Sequence, residues 1–165
     1  MNKFAIILRN ADIFYKFTDS QLELVANFCQ ERTLKTGEIL FWEGSKSDEL
    51  YIIADGVIDI LVNPDLVSDT PGEDHDPVTI ATLRRGQSFG EIALVDHGIR
   101  SATARIAQEN TRLIIIPSGK LMAACDKHPD LGYRLMSNLA ADLALKIRST
   151  SLRMREELLY GRTQK

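Results

Sequence analysis

Cysteine is scarce. The 165 residues hold two, Cys29 and Cys125, without Cys-x-x-Cys spacing. Two thiols cannot supply the four ligands of a structural zinc or an iron–sulfur cluster. Both lie beside apolar residues in stretches that read as helical, as buried thiols do in a reducing compartment. No apolar run approaches the roughly 20 residues of a membrane span. The run Phe4-Ala5-Ile6-Ile7-Leu8 is too short for a secretory core and lacks a clear cleavage site. Neither sign of charge dominates: 20 Lys and Arg stand against 23 Asp and Glu, a net charge of −3. That balance argues against a general nucleic-acid surface. Histidine numbers three, His75, His97 and His128, scattered and without a His-x-His pair. These absences describe a cytoplasmic protein with no membrane segment, no metal and no cofactor.

What is present is a chain long enough for one domain with a core. Residues 1 to 10 form a short mixed segment that reads as helix. Ser20 and Glu23 fit a capping box, which predicts a helix over roughly 19 to 31. From Thr33 the hydrophobic period becomes that of strands: Glu38 to Trp42, Leu50 to Ala54, Val57 to Val62, Val78 to Leu83, Ser101 to Ala107 and Thr111 to Ile116. Asp55-Gly56 reads as a hairpin turn that returns 57–62 onto 50–54. Short strands cut by Gly37, Gly44, Gly56 and Gly86 predict a roll or barrel. Residues 63 to 77, with Asp65, Asp69, Glu73, Asp74, His75 and Asp76, read as a solvated acidic loop without EF-hand spacing. Arg84 and Arg85 read as a solvated turn. After Pro117 a helix is expected over 118–127. Pro129 and Asp130 open a last helix reaching about Tyr160.

Residues 86 to 104 carry the chemistry. Phe89 precedes Gly90, where the backbone can turn or approach a ligand closely. Glu91, Ile92, Ala93 and Leu94 make about one helical turn, whose free N–H groups favour an anion. Asp96-His97-Gly98 reads as a second turn. Arg100 supplies a planar fork suited to phosphate, and Ser101, Ala102, Thr103 and Ala104 are small enough to leave space beside it. Anion-binding amides, one carboxylate and one guanidinium match a ligand with a phosphate and a vicinal hydroxyl, such as a ribose phosphate.

Phe89-Gly90-Glu91-Ile92-Ala93-Leu94 followed by Arg100-Ser101-Ala102 resembles the phosphate-binding cassette of the cyclic-nucleotide-binding domain family. The order Gly-Glu-Ile-Leu, Glu-Gly-Ser, Leu-Tyr-Ile-Ile, Asp-Gly-Val is also similar to that family, and the resemblance covers roughly residues 10 to 145. It implies a mainly β fold with helices (α+β): a jelly-roll-like β-roll, or double-stranded β-helix, flanked by N-terminal helices and a long C-terminal helix. The expected division is an N-terminal helical segment (1–32), the roll with its cassette (33–117) and C-terminal helices (118–165), all one domain. The resemblance further implies that Glu91 accepts from a ribose 2′-hydroxyl and that Arg100 pairs with the exocyclic phosphate oxygens. Backbone amides of Gly90, Ile92, Ala93 and Ala102 complete the cradle, with Ser101 adding a hydroxyl. Base contacts would come from the last helix, with Lys146, Ile147 and Thr150 as candidates. The Ser101 hydroxyl resembles the group that helps hold guanine in cGMP-preferring members. Since nothing else in the cassette demands guanine, cAMP is favoured over cGMP.

The last helix carries two apolar stripes. Leu145, Leu152 and Leu159 form one; Leu143, Ile147, Met154 and Leu158 lie nearly opposite. Two stripes imply two partners: the roll or bound nucleotide on one side, and a second copy's helix on the other. The chain ends at Lys165, which leaves no room for a helix-turn-helix, so direct DNA binding is not expected. The expected role is a sensor whose last helix moves and signals through a partner protein. Two other classes fit less well. A cupin-type metalloenzyme would want clustered His and carboxylate ligands. A degenerate roll used for protein contacts would not need both Glu91 and Arg100. No nucleophile–base pairing sits in a recognisable motif, so no catalytic residue is assigned.

Overall fold

The computed structural model describes residues 2–46, 48–67, 76–96 and 98–160. Helix α1 (Lys3–Leu8) is capped by Asn2, whose side chain accepts from the Phe4 amide at 3.0 Å. A 3-10 turn at Asp12–Phe14 leads to α2 (Asp19–Ala26). The capping box is there, but on Thr18 and Gln21 rather than Ser20 and Glu23: the Gln21 amide donates to the Thr18 hydroxyl, and the Thr18 amide donates to the Gln21 side chain. The helix also stops at Ala26, short of the expected 31. Gln30 to Leu34 become a strand, β1, because pairing with a neighbouring strand satisfies their backbone groups and overrides helix propensity. Cys29 therefore lies past the helix, and Cys125 lies within one; both thiols are free and buried. Burial pushes the Cys29 thiol up to about 12, so it stays protonated.

Strands β2 (Ile39–Phe41), β3 (Glu49–Asp55), β4 (Val57–Val62), β5 (Val78–Arg84) and β6 (Ser88–Phe89) follow, then helix α3 (Glu91–Asp96). Strands β7 (Thr103–Ile106) and β8 (Thr111–Pro117), α4 (Ser118–Lys127) and α5 (Pro129–Tyr160) complete the chain. The strands form two antiparallel sheets, ordered β1-β8-β3-β6 and β2-β7-β4-β5. The expected roll is thus present, with the helices at both ends of the chain. The expected hairpin at Asp55-Gly56 is not. Strand β4 pairs with β5 and β7 in the second sheet, while β3 pairs with β6 and β8 in the first. Gly56 is the corner where the chain changes sheets. It has φ +103°, and a Cβ there would lie 2.2 Å from Thr111 Oγ1 and 2.8 Å from the Thr111 Cα. Gly56→Ala should therefore cost about 2–4 kcal/mol, from left-handed strain plus overpacking. Urea denaturation checks this, and a loss under about 0.5 kcal/mol would show that the corner relaxes freely.

The first sheet is buried on both faces. Tyr51, Ile53, Leu113 and Ile115 face the roll interior with Leu34, Ile58, Leu83, Phe89, Ala104 and Ile106. Leu50, Ile52, Ile114 and Ile116 face outward onto Leu8, Phe14, Leu22, Val25, Leu121, Leu131 and Leu135. That is why β3 and β8 read as continuous apolar runs rather than alternating ones. The second sheet leaves β5 largely in solvent.

Helix α5 is fastened differently along its length. Leu131, Leu135 and Leu139 are buried in the helical core, and Asn138 Nδ2 donates to the carbonyls of Ile13 and Tyr15 at 2.9 Å each. Past that point the helix meets the roll through polar side chains, Lys146 and Arg153. Of the two expected stripes, Leu145, Ile147, Leu152, Met154, Leu158 and Leu159 are exposed and Leu143 is half-buried, so neither stripe as a whole packs on the roll. Residues 68–75 of the acidic loop lie outside the described residues; Pro64–Val67 form a 3-10 turn.

Candidate functional site

The cassette sits at the mouth of the roll, where β6 gives way to α3. Phe89 is buried and stacks on Tyr51, with ring centroids 5.1 Å apart; Phe41 joins them at 5.7 Å from Tyr51 and 6.1 Å from Phe89. These three rings floor the site. Gly90 then turns the chain with φ +83°. That sharp turn starts α3 at Glu91, and the first-turn amides, those of Ile92 and Ala93 among them, have no partner within the helix. Ile92 is partly exposed. His97, in the expected second turn, lies outside the described residues.

Arg100 reaches the same place from the far side of the turn. Its backbone is pinned to the segment after β2: the Arg100 amide donates to the Ser45 carbonyl, and the Gly44 amide donates to the Arg100 carbonyl, both at 2.8 Å. Its guanidinium donates from Nη1 to the Gly90 carbonyl at 3.1 Å and from Nη2 to the Glu49 carbonyl at 2.8 Å. The guanidinium carbon lies 4.2 Å from the Phe41 ring centroid and 5.4 Å from that of Tyr51. Cation–π contact of this kind favours Arg and fixes the plane of the fork. Arg100 is 2% exposed. Burial lowers its pKa, opposed by the nearby Tyr51, Glu49 and Glu91 groups. Ala102 is buried behind it and Ser101 is exposed.

Glu91 is 5% exposed, yet it is a carboxylate. Its compensation comes from the last helix: Lys146 Nζ lies 2.8 Å from Glu91 Oε1 and 2.7 Å from Asp142 Oδ2. Burial works against the Lys146 charge, but Glu91 and Asp142 outweigh it and the net shift is upward. Lys146, a candidate for base contact, is thus turned to the cassette carboxylate. Ile147 is exposed, and the exposed Thr150 donates its hydroxyl back to the Lys146 carbonyl at 2.9 Å. The structure therefore brings Phe89, Gly90, Glu91 and Arg100 together in one mouth.

Sequence reasoning missed Phe41, Tyr51 and Glu49. Phe41 and Tyr51 lie in stretches with a strand period, but only pairing across the roll puts them under Arg100. Glu49 contributes a backbone carbonyl, which no side-chain pattern reveals. Its carboxylate accepts from Tyr51 Oη at 2.6 Å and so holds that ring in place. Among the described residues, no cluster of three or more His, Cys, Asp or Glu could hold a metal. Among the same residues, no helix is long and apolar enough to cross a membrane.

Known proteins are similar to this chain. The chain is 27% identical over 147 residues to the cyclic AMP receptor protein of Thermus thermophilus, covering 89% of this chain and 62% of that protein. It is 33% identical over 95 residues to the cAMP-dependent protein kinase regulatory subunit of Emericella nidulans, covering 57% of this chain and 23% of that one. The crystal structure of Thermus thermophilus catabolite activator protein superposes with a TM-score of 0.71 at 28% identity, covering 91% of this chain and 63% of that one. The chain thus spans less than two thirds of the length of these relatives. The cyclic nucleotide-binding domain model matches residues 31–128, which hold the roll, the Gly90 turn, Glu91 and Arg100, and the chain accordingly belongs to the cyclic nucleotide-binding domain family, a regulatory rather than catalytic one.

Proposed function

We propose that this chain is a cyclic-nucleotide sensor, binding cAMP in preference to cGMP, with no enzymatic activity of its own. The cyclic phosphate sits on the amides of Gly90, Ile92, Ala93 and Ala102 and on the Arg100 fork. Phe89 supports the turn from below and Ser101 adds its hydroxyl. Glu91 accepts from the ribose 2′-hydroxyl. Ile147 and Thr150, exposed on the last helix, remain for the base, and apart from the Ser101 hydroxyl nothing in this set asks for guanine. The observation that carries the reading is a left-handed glycine turn opening α3 directly beside a buried guanidinium held flat on an aromatic floor. Arg100 donates to two neutral carbonyls; a phosphate anion is the stronger acceptor and would draw the fork outward.

The segments 1–32, 33–117 and 118–165 act as one domain of a cytoplasmic protein. It changes the position of its C-terminal helix and signals through a protein partner, without contacting DNA or membrane. Its relatives named for cyclic AMP support the ligand class. Parallel calorimetric titration with cAMP and cGMP tests this reading. Saturable heat with the stronger affinity for cAMP is expected. Heat from neither, with folded nucleotide-free protein, would leave a roll used for protein contacts alone.

The exposed stripes of α5 support a homodimer through that helix, since rows of large apolar side chains left in solvent favour contact with a second copy. Leu152→Glu or Met154→Glu should shift sedimentation toward the monomer. If neither does, the helix is not the interface.

A further inference from the structure

Arginine donates hydrogen bonds and never accepts them, and an ionised carboxylate accepts and never donates. A phenol does both, and Tyr51 stands between one of each. Its Oη donates to Glu49 Oε2 at 2.6 Å, and its side chain hydrogen-bonds the Arg100 guanidinium. The phenol proton is committed to the carboxylate, so the guanidinium meets the lone pairs of Oη. The order Arg100, Tyr51, Glu49 therefore runs one way, and each bond polarises the next. With no acceptor at 49 the hydroxyl is free to turn its proton toward the fork, which has no lone pair for it. The ring itself is fixed: Tyr51 is buried and stacks on Phe89, the two planes 19° apart. Phe41 lies 4.2 Å from the guanidinium carbon. Glu49 reaches the fork by a second route, since its carbonyl accepts from Nη2 at 2.8 Å.

We propose that Glu49 is a positioning residue for the phosphate: acting through the Tyr51 hydroxyl, it fixes the plane of the Arg100 fork, so that the fork engages one exocyclic oxygen of a cyclic phosphate in preference to the other. This rests on the nucleotide reading above. A guanidinium carries five N–H donors, enough to serve a phosphate and the phenol at once. The neutral carbonyls of Gly90 and Glu49 yield to the phosphate, while the relay that ends on a charge and the face of Phe41 keep the plane. The two exocyclic oxygens of a cyclic phosphate are alike in chemistry and differ in position, one axial and one equatorial. A fork that pivots serves either, and a fork held in plane serves one. Sulfur is the poorer acceptor, so the two diastereomers of a cyclic phosphorothioate report which oxygen the fork uses.

Calorimetric titration with cAMP and with the Rp and Sp diastereomers of its cyclic phosphorothioate tests this, with Tm measured alongside. The proteins are the parent, Tyr51→Phe, Glu49→Leu, their double variant and Glu49→Gln. The parent should separate the diastereomers by about tenfold or more. Tyr51→Phe keeps the stacked ring and Glu49→Leu keeps the carbonyl on Nη2. Each should nonetheless weaken cAMP about tenfold and bring the diastereomers within about threefold of each other. The double variant should bind no more weakly than either single, since both break one relay. Glu49→Gln, whose amide oxygen still accepts from the phenol, should keep affinity and selectivity near the parent's. A residue that only stabilised the fold would lower Tm and leave the diastereomer ratio unchanged, and that result overturns the proposal. So do losses that add in the double variant, a parent indifferent to the diastereomers, and a Glu49→Gln protein as unselective as Glu49→Leu. If no nucleotide binds the folded protein, the sensor reading falls and phosphate selection falls with it. Non-additive changes in Tm for Tyr51→Phe and Glu49→Leu still decide whether the relay exists.

Discussion

Arg100→Leu should abolish measurable cyclic-nucleotide binding, with no saturable heat at ligand concentrations up to about the parent's Kd. The fork would supply two charge-assisted hydrogen bonds to the phosphate, each worth about 1.5–3 kcal/mol. Losing both removes about 3–6 kcal/mol, or at least two decades of affinity. Arg100→Lys keeps the charge but loses the fork and the flat contact with Phe41, so it should fall between. The substitution also touches the fold. The same guanidinium donates to the Gly90 and Glu49 carbonyls. Leucine takes that donor away from both, so the variant should fold but melt several degrees lower. Binding must be measured well below its Tm, with the fold checked by circular dichroism. Near-parental affinity in a folded Arg100→Leu protein would falsify the phosphate assignment.

Gly90→Ala should damage stability and binding together. The residue has φ +83°, and a Cβ there would lie 2.4 Å from Arg100 Nη1, 3.2 Å from the Glu49 carbonyl oxygen and 3.3 Å from Tyr51 Cδ2. Left-handed strain costs about 1–2 kcal/mol. Displacing the guanidinium from its carbonyls adds to it, so Tm should drop by about 5 °C or more for a domain of this size. Affinity should fall at least tenfold, because the fork can no longer sit beside the turn. Gly37→Ala supplies the control: φ there is +86°, and a Cβ would meet nothing within 4 Å. It should lose stability through strain alone and keep its affinity. If the two variants bound nucleotide equally well, the close approach of Gly90 to Arg100 would have no bearing on the site.

The periods and the cassette were legible from the residues alone. Strand periodicity from Thr33 and the glycine breaks announced a roll, and α4 and α5 begin where Pro117 and Pro129 mark them. The glycine, carboxylate and guanidinium at 90, 91 and 100 were legible because together they resemble the family's phosphate-binding cassette. Local signals alone misplaced two elements. Asp55-Gly56 looked like a hairpin, yet Gly56 is a corner packed on Thr111, and the sheet each strand joins depends on partners far along the chain. Gln30 to Arg32 looked like the end of a helix until β8 offered them a ladder.

Tertiary structure alone decided what surrounds the two charges. The aromatic floor comes from β2, β3 and β6, strands of two different sheets, and the Glu49 carbonyl under Arg100 belongs to the backbone. The apolar stripes of α5 were visible in sequence, but they face solvent in this chain, and the polar residues Lys146 and Arg153 meet the roll. A helical period says which residues share a face. It does not say which face turns inward, because that depends on where the helix is anchored and which buried charge needs a partner. Glu91, taken out of water at the mouth of the roll, needed one, and Lys146 is the cation that α5 carries past it.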